Sequence, residues 1–175
     1  LYDRKTANTA CEWLKERANS AEDKPWVLYV GFVAPHYPLI APSQFLEMYP
    51  IEDIPLPKLQ PKDGYQRHPW VESLDGVIGQ DHFFKNDKER LEAIAAYLAL
   101  CSFVDAEIGI VLDAIKDNNF EDTTRIIYTS DHGDNMGARG LWGKSVLYEE
   151  STRIPMIVSG PDVPRGQVSK TPVTL

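Results

Sequence analysis

Residues 26–33 have the sequence Trp-Val-Leu-Tyr-Val-Gly-Phe-Val, an apolar run in which both sets of alternate positions are apolar. A strand of a parallel sheet is covered on both faces and shows this continuous pattern, whereas a half-exposed strand alternates polar and apolar residues. Residues 4–19 follow the period of an amphipathic helix, with apolar side chains at Ala7, Ala10, Cys11, Leu14 and Ala18. A helix that leads into a buried strand is half of an α/β repeat.

The rest of the chain continues this order of elements. Residues 35–84 hold eight of the 13 prolines, which predicts an ordered but largely irregular excursion over the sheet. Asn86 and Glu89 predict the capped start of a helix that keeps its period for about eight turns. Short apolar runs at 125–129 and 155–159 predict two more strands. This order favours an α/β fold, with a mostly parallel sheet flanked by helices.

Composition limits the class of protein. The 175 residues include 26 acidic and 18 basic side chains, a net charge of −8, which argues against unassisted binding to nucleic acid or an anionic membrane. No uninterrupted apolar run approaches the roughly 18 residues of a membrane helix. Cys11 and Cys101 show neither metal-ligand spacing nor a disulfide framework, and we expect both to be small buried residues. The chain begins within a helical pattern, so we expect either a processed chain or a piece of a longer protein, and we assign no cellular compartment.

Polar side chains follow two predicted strands, where ligands bind in open α/β sheets. The strand at 26–33 leads into Ala-Pro-His-Tyr-Pro at 34–38, and the strand at 125–129 leads into Ser-Asp-His-Gly-Asp at 130–134. Asp131 and His132 offer a carboxylate and an imidazole to a divalent cation, and Gly133 permits a sharp turn. Alone, this motif is equally typical of a capping aspartate and a histidine that bonds a carbonyl.

Three further residues extend this pattern. Lys144 ends a glycine-rich loop and suits an oxyanion such as sulfate or phosphate, and Arg139 of the same loop is a second candidate to face substrate. His36 lies between two prolines and can donate a proton to a leaving group. Each alone is also typical of a surface or structural side chain, which is how we interpret His68 and His82. Together, a cation site, a lysine loop and a rigid histidine indicate an oxyanion-ester site.

Several segments in chain order resemble the type I sulfatases of the alkaline phosphatase superfamily, namely residues 129–134, 140–144, 148–151 and 154–157. Residues 34–38 are similar to the P-H-x-P loop of that family. The resemblance implies an α/β, alkaline-phosphatase-like sulfatase fold that hydrolyses a small-molecule sulfate ester, without a nucleic acid or membrane partner. It also implies one divalent cation, usually Ca²⁺, with Mn²⁺ or Mg²⁺ as alternatives.

The resemblance implies roles for individual residues. Asp131 and His132 correspond to a pair of metal ligands. Lys144 corresponds to the lysine that contacts the sulfate and the bridging oxygen. His36 corresponds to the histidine that assists departure of the alcohol, and Arg139 stays a candidate substrate-binding residue.

Other parts of the family pattern are absent from this sequence. The nucleophile of the family is a formylglycine made from a C/S-x-P-x-R motif, and neither Cys11 nor Cys101 has that context. We therefore expect residues 1–175 to be a portion of a longer catalytic domain, inactive in isolation, with an empty cation site and open sheet edges through which copies associate. The alternatives are a phosphonate monoester hydrolase or phosphodiesterase of the same superfamily, and a non-catalytic binding domain of the same fold.

Overall fold

The structure, a computed structural model, describes residues 2–22, 24–78 and 80–175, which fall into two compact units. Unit 1 comprises Leu1–Ile54 and Glu92–Thr124, and unit 2 comprises Pro55–Leu91 and Arg125–Leu175. The elements in chain order are α1 (Tyr2–Ala18), α2 (Ser43–Leu46), α3 (Pro69–Ser73), α4 (Asp75–Ile78), α5 (Asp87–Asp117), β1 (Ile126–Thr129), α6 (Glu149–Thr152) and β2 (Met156–Ser159). Four 3₁₀ turns lie at Ile51–Asp53, Pro61–Asp63, Gln80–Phe83 and Ala138–Gly140.

Unit 1 is built on α1 and α5, the two helices that the sequence periodicity predicts. The apolar face of α1 is buried, and the Cys11 thiol lies 3.6 Å from the carbonyl oxygen of Ile110. Arg4 Nε lies 2.7 Å from both carboxylate oxygens of Glu107, whose side chain is fully buried in α5. This ion pair joins the two helices, because a buried carboxylate needs a cationic partner. Cys101 is partly buried on α5, and burial raises the pKa of its thiol to about 11.

The two ends of α5 follow the predicted capping chemistry. Asn86 Oδ1 accepts a hydrogen bond from the Glu89 backbone N–H at 3.0 Å. The Glu89 carboxylate returns to the N–H of Lys85, one residue earlier than in the standard capping box, at 2.8 Å. Beyond the last turn, Asn119 has a φ of +59°, the left-handed conformation that ends many helices.

By length and composition, α5 is also apolar enough to cross a membrane. The core helix of a globular unit passes the same test. Here Ala99, Phe103, Glu107 and Val111 are buried within the protein, and Glu107 is paired with Arg4. A search for uninterrupted apolar runs does not detect this helix, because charged residues interrupt its sequence. Its packing within the protein explains why it is so apolar.

The prediction that residues 26–33 are a strand buried on both faces is wrong for this chain. The segment has no ladder partner within the described part of the chain, and Val27 and Tyr29 are 96% and 90% exposed. Its other face packs in unit 1, where Trp26 makes edge-to-face contacts with Trp13 and Phe120. Apolar patterning predicts what a strand can bury, but a ladder also needs neighbouring strands to bond its N–H and C=O groups.

Unit 2 contains the sheet of the described residues, a two-stranded ladder of β1 and β2. Both strands lie where the sequence predicts them, but they pair antiparallel, with Ile126 opposite Ser159 and Thr129 opposite Met156. The long crossover helix that a parallel connection usually needs is absent between them, where α6 makes a single turn. The expected parallel pairing is therefore not the arrangement of this ladder.

The excursion at residues 35–84 is ordered, as predicted, and contains short helical turns rather than only irregular chain. In unit 2, His68 caps α3 by accepting a hydrogen bond from the Trp70 N–H at 3.2 Å. The His82 ring lies against Phe83, with centroids 4.2 Å apart. Both histidines thus have the structural or surface roles expected of them.

Candidate functional site

The exit of β1 brings Asp131 and His132 together. Asp131 Oδ2 lies 3.5 Å from His132 Nε2, and the Asp131 side chain is 83% exposed, so the carboxylate faces solvent. His132 Nδ1 lies 2.8 Å from the Gly133 carbonyl oxygen. Because a carbonyl only accepts hydrogen bonds, Nδ1 carries a proton, and in the neutral ring Nε2 presents its lone pair. The pair thus offers one carboxylate and one imidazole nitrogen at a common point.

Lys144 reaches the same point from the following loop. Its Nζ contacts His132 Nε2, and the lone pair on that nitrogen is an acceptor for the ammonium. Unit 2 therefore brings together three of the residues that the sequence predicts for one site. Their polar ends lie next to one another at the exit of β1.

The charges around Asp131 favour its ionised form. Slight burial raises the pKa of Asp131, but His132, two backbone N–H groups and Lys144 outweigh that effect and leave the pKa lowered. A carboxylate that stays ionised is the form that binds a metal ion.

Gly133 is required for a reason other than the predicted sharp turn. Its φ is not in the left-handed region, but its N–H donates to the Ser151 carbonyl at 2.8 Å. A Cβ at this position would lie closer than 3.0 Å to the backbone oxygen of Glu150. Close approach of two backbone segments, not turn geometry, is therefore what restricts this position.

The loop before Lys144 is held in an unusual backbone conformation. Gly143 and Ser145, on either side of Lys144, have φ values of +71° and +84°. Glycine adopts this region readily, whereas a serine there is strained. The surrounding structure must therefore impose the conformation of residues 143–145.

Replacing Ser145 by glycine is expected to raise the free energy of unfolding by about 1 kcal/mol, because it relieves the positive-φ strain. Urea denaturation would measure the change. Ser73→Gly is the matched control, since Ser73 lies in α3, and there glycine is expected to destabilise. Equal or lower stability of Ser145→Gly would contradict this interpretation of the loop.

Arg139 lies in a different cluster of unit 2. Its guanidinium donates to Glu150 at 2.7 Å and to the Tyr65 hydroxyl at 3.1 Å. It also lies over the Tyr148 ring, 4.2 Å from the centroid. Lys58 Nζ is 2.8 Å from the other carboxylate oxygen of Glu150. These contacts are sufficient to explain Arg139 structurally, and its role toward substrate stays a prediction.

This cluster makes a pH-dependent contribution to stability. Burial raises the pKa of Glu150, but hydrogen bonds from Lys58, its own backbone N–H and Arg139 outweigh burial and lower the pKa to about 2 from its ordinary 4.5. The ionised form is thus favoured by folding, and its contribution is present above the ordinary pKa. The contribution is lost as the pH falls from about 4.5 toward about 2.

The destabilising effect of Glu150→Gln is therefore expected to be larger near pH 7 than near pH 3. Urea denaturation of both proteins at each pH would measure this, since other acid groups titrate equally in the two. Lys58→Met removes the strongest of the contacts that lower the pKa of Glu150. In that background, the effect of Glu150→Gln should differ less between pH 7 and pH 3. If Glu150→Gln destabilised the protein equally at pH 7 and pH 3, the contacts assigned to Glu150 would be contradicted.

His36 belongs to unit 1, and its position relative to the residues of unit 2 stays a prediction. Its Nδ1 lies 2.9 Å from the Tyr37 carbonyl oxygen, so Nδ1 carries a proton and Nε2 is the nitrogen that gains or loses one. Asp3, which the sequence analysis did not select, accepts hydrogen bonds from the N–H groups of Val33 and Ala34 at 2.8 and 2.9 Å. It thereby fixes the backbone directly before the His36 loop.

The residues present fit two ligands of a divalent cation. The Asp131 carboxylate and the His132 Nε2 atom, 3.5 Å apart, are donor types that suit one ion, and coordination through Nε2 would displace the Lys144 ammonium from that nitrogen. The described residues contain no group of three or more His, Cys, Asp or Glu side chains arranged for a metal. Asp131 and His132 can thus supply part of a coordination shell.

Comparison with known proteins identifies relatives along nearly the whole chain. The family model for sulfatases matches residues 1–175. A sulfatase of Formosa agariphila is 35% identical over 168 residues, which is 95% of this chain and 33% of that protein. This chain therefore spans about a third of the length of that relative.

Solved structures show the same similarity. A sulfatase homologue from Bacteroides fragilis, yidJ, is 31% identical with a TM-score of 0.67, over 91% of this chain and 31% of that one. A phosphonate monoester hydrolase of Agrobacterium radiobacter is 26% identical with a TM-score of 0.74, over 89% of this chain and 33% of that one.

Proposed function

Because this chain belongs to the sulfatase family, we propose that it supplies one part of the active site of a sulfuric ester hydrolase. The observation that carries the proposal is the meeting of Lys144 with His132, beside Asp131, at the exit of β1. The resemblance to type I sulfatases that the motifs indicate is confirmed, and so is the α/β, alkaline-phosphatase-like fold class.

We propose that residues 1–175 are a portion of a longer catalytic domain, since the chain spans about a third of its relatives. On this proposal the nucleophile, a formylglycine, lies outside the 175 residues, and the isolated chain does not turn over substrate. The exposed apolar side chains of β1 and β2 also favour association of copies. The expected substrate is a small-molecule sulfate ester.

The chain's own residues have distinct roles in the proposed reaction. Hydrolysis breaks the S–O bond to the alcohol, and negative charge develops on the departing oxygen. The Lys144 ammonium stabilises that charge and binds the sulfate. His36, through Nε2, donates the proton that the departing alcohol takes up.

Asp131 and His132 are proposed to hold the divalent cation, with Ca²⁺ preferred and Mn²⁺ or Mg²⁺ as alternatives. When bound, such a cation supplies positive charge that polarises the ester. With only these two ligands, the isolated chain is expected to bind Ca²⁺ more weakly than about 1 mM. Tight, stoichiometric binding in a calorimetric titration would contradict a partial site.

The second candidate function is hydrolysis of phosphonate monoesters, favoured by the structural similarity to the Agrobacterium radiobacter enzyme. The full-length protein would be assayed with 4-nitrophenyl sulfate and 4-nitrophenyl phenylphosphonate. A kcat/KM at least about tenfold higher for the sulfate ester supports the proposal. Preference for the phosphonate would establish the alternative, and a full-length protein without the C/S-x-P-x-R nucleophile motif would indicate a non-catalytic domain. Lys144→Met purified in the same way corrects for contaminating hydrolases.

A further inference from the structure

Gly143 lies directly before Lys144. Its backbone N–H and carbonyl both form hydrogen bonds with Asp134 and Asn135, which follow closely after Asp131 and His132. Its N–H donates to Asp134 Oδ1 at 3.0 Å. Its carbonyl accepts from the Asn135 backbone N–H at 2.8 Å and from Asn135 Nδ2 at 2.7 Å. The loop between residues 135 and 143 is therefore closed at its base, and we call these three hydrogen bonds the Gly143 clamp.

The two clamp side chains are themselves fixed. Asp134 Oδ1 also accepts from the Met136 N–H at 2.9 Å, which forms a local turn around the aspartate. Asn135 is only 2% exposed, so its amide has little freedom to reorient. Its Oδ1 has no hydrogen-bond partner among the described residues. Burial of an unpaired amide oxygen is unfavourable. The amide keeps this orientation because its Nδ2 donates to the Gly143 carbonyl.

The clamp links His132 to Lys144 over a short path. Only Gly133 separates His132 from the first clamp residue, and Lys144 directly follows Gly143. The positive φ of Gly143 and the strained, positive φ of Ser145 then set the direction of Lys144. The backbone thus directs the Lys144 side chain toward His132.

We propose that Asp134 and Asn135 are positioning residues that hold Lys144 at His132 through Gly143. The catalytic consequence rests on the proposed function, because it assumes that Lys144 binds the ester. The structural consequence does not, since it concerns only where Lys144 lies. A purely structural loop closure would stabilise the unit but leave the reactivity of Lys144 unchanged.

The experiment compares Asp134→Ala, Asp134→Asn and Asn135→Leu with the parent protein. Acetylation of individual lysines, followed by mass spectrometry, measures the reactivity of Lys144. We expect about a tenfold faster acetylation of Lys144 in Asp134→Ala and Asn135→Leu. Asp134→Asn keeps an acceptor oxygen and should recover most of the protection. Asn135→Leu removes the side-chain hydrogen bond to Gly143 but retains the backbone one. It therefore tests the clamp if Asp134→Ala does not fold.

The same variants of the full-length protein separate positioning from binding. We expect kcat for 4-nitrophenyl sulfate to fall about tenfold in Asp134→Ala, with a smaller change in KM, and to recover in Asp134→Asn. Glu149→Ala is the matched control, because Glu149 is exposed and its ion pair with Arg153 is long, at 3.9 Å. It should leave Lys144 reactivity unchanged.

Unchanged Lys144 acetylation in both Asp134→Ala and Asn135→Leu would overturn the proposal. So would increased acetylation with an unchanged kcat, because Lys144 would then need no positioning. If the parent protein hydrolyses neither a sulfate nor a phosphonate ester, the proposed function fails. The acetylation rates then decide on their own whether the clamp holds Lys144.

Discussion

Replacing Lys144 by methionine in the full-length protein is expected to lower kcat for a sulfate ester by about 100- to 1,000-fold. Methionine keeps much of the length of the side chain but removes the cationic donor that we propose stabilises the departing oxygen. The loss should appear mainly in kcat, because the charge on that oxygen develops in the transition state. Steady-state rates with 4-nitrophenyl sulfate would measure it.

Two further substitutions define the role of that lysine. Lys144→Arg keeps the charge but replaces a compact ammonium by a planar fork, so only part of the rate should return. Lys170→Met is the matched control, because Lys170 is exposed in the C-terminal segment, and its rate should equal that of the parent. A Lys144→Met protein with nearly normal kcat would remove Lys144 from the reaction.

Gly133→Ala is expected to destabilise the protein by about 3 kcal/mol or more. The added Cβ would overlap the backbone oxygen of Glu150, and backbone atoms cannot move aside as a flexible side chain can. Separation of the two segments would also break the hydrogen bond from the Gly133 N–H to Ser151. The change in the free energy of unfolding would be measured by urea denaturation.

Gly109→Ala is the matched control for that substitution. Gly109 lies in α5, and a Cβ there has no heavy atom within 4 Å. Alanine should therefore stabilise the helix by about 0.5–1 kcal/mol. If Gly133→Ala were as stable as the parent, residues 133 and 150 could not approach as closely as described. The geometry described at the exit of β1 would then also be contradicted.

Periodicity and capping predict the helices well, because both depend on neighbours in the sequence. The helical spacing at 4–19 and the Asn86 cap locate α1 and α5, and the apolar runs locate β1 and β2. The same patterning fails for residues 26–33, since strand burial depends on partners elsewhere in space. The direction of β2 likewise depends on the path of the chain and not on its own sequence.

The sequence predicts those site residues that lie directly after a strand or in the loop that follows it. Asp131 and His132 leave β1 together, and Lys144 returns to them from the next loop. Spacing alone does not reveal that Arg139 has Glu150 as its partner, or that Asp3 bonds the backbone before the His36 loop. For Asp134 the readable signal is the local turn that an aspartate forms with the N–H two residues on. Nothing in the sequence indicates that Gly143 is the common partner.

On the proposed function, we expect Asp131, His132 and Lys144 to surround one tetrahedral anion. A crystal structure of the full-length protein with vanadate bound would test this most directly. We expect an anion oxygen about 3 Å from Lys144 Nζ. Vanadate bound away from Lys144 would contradict this arrangement.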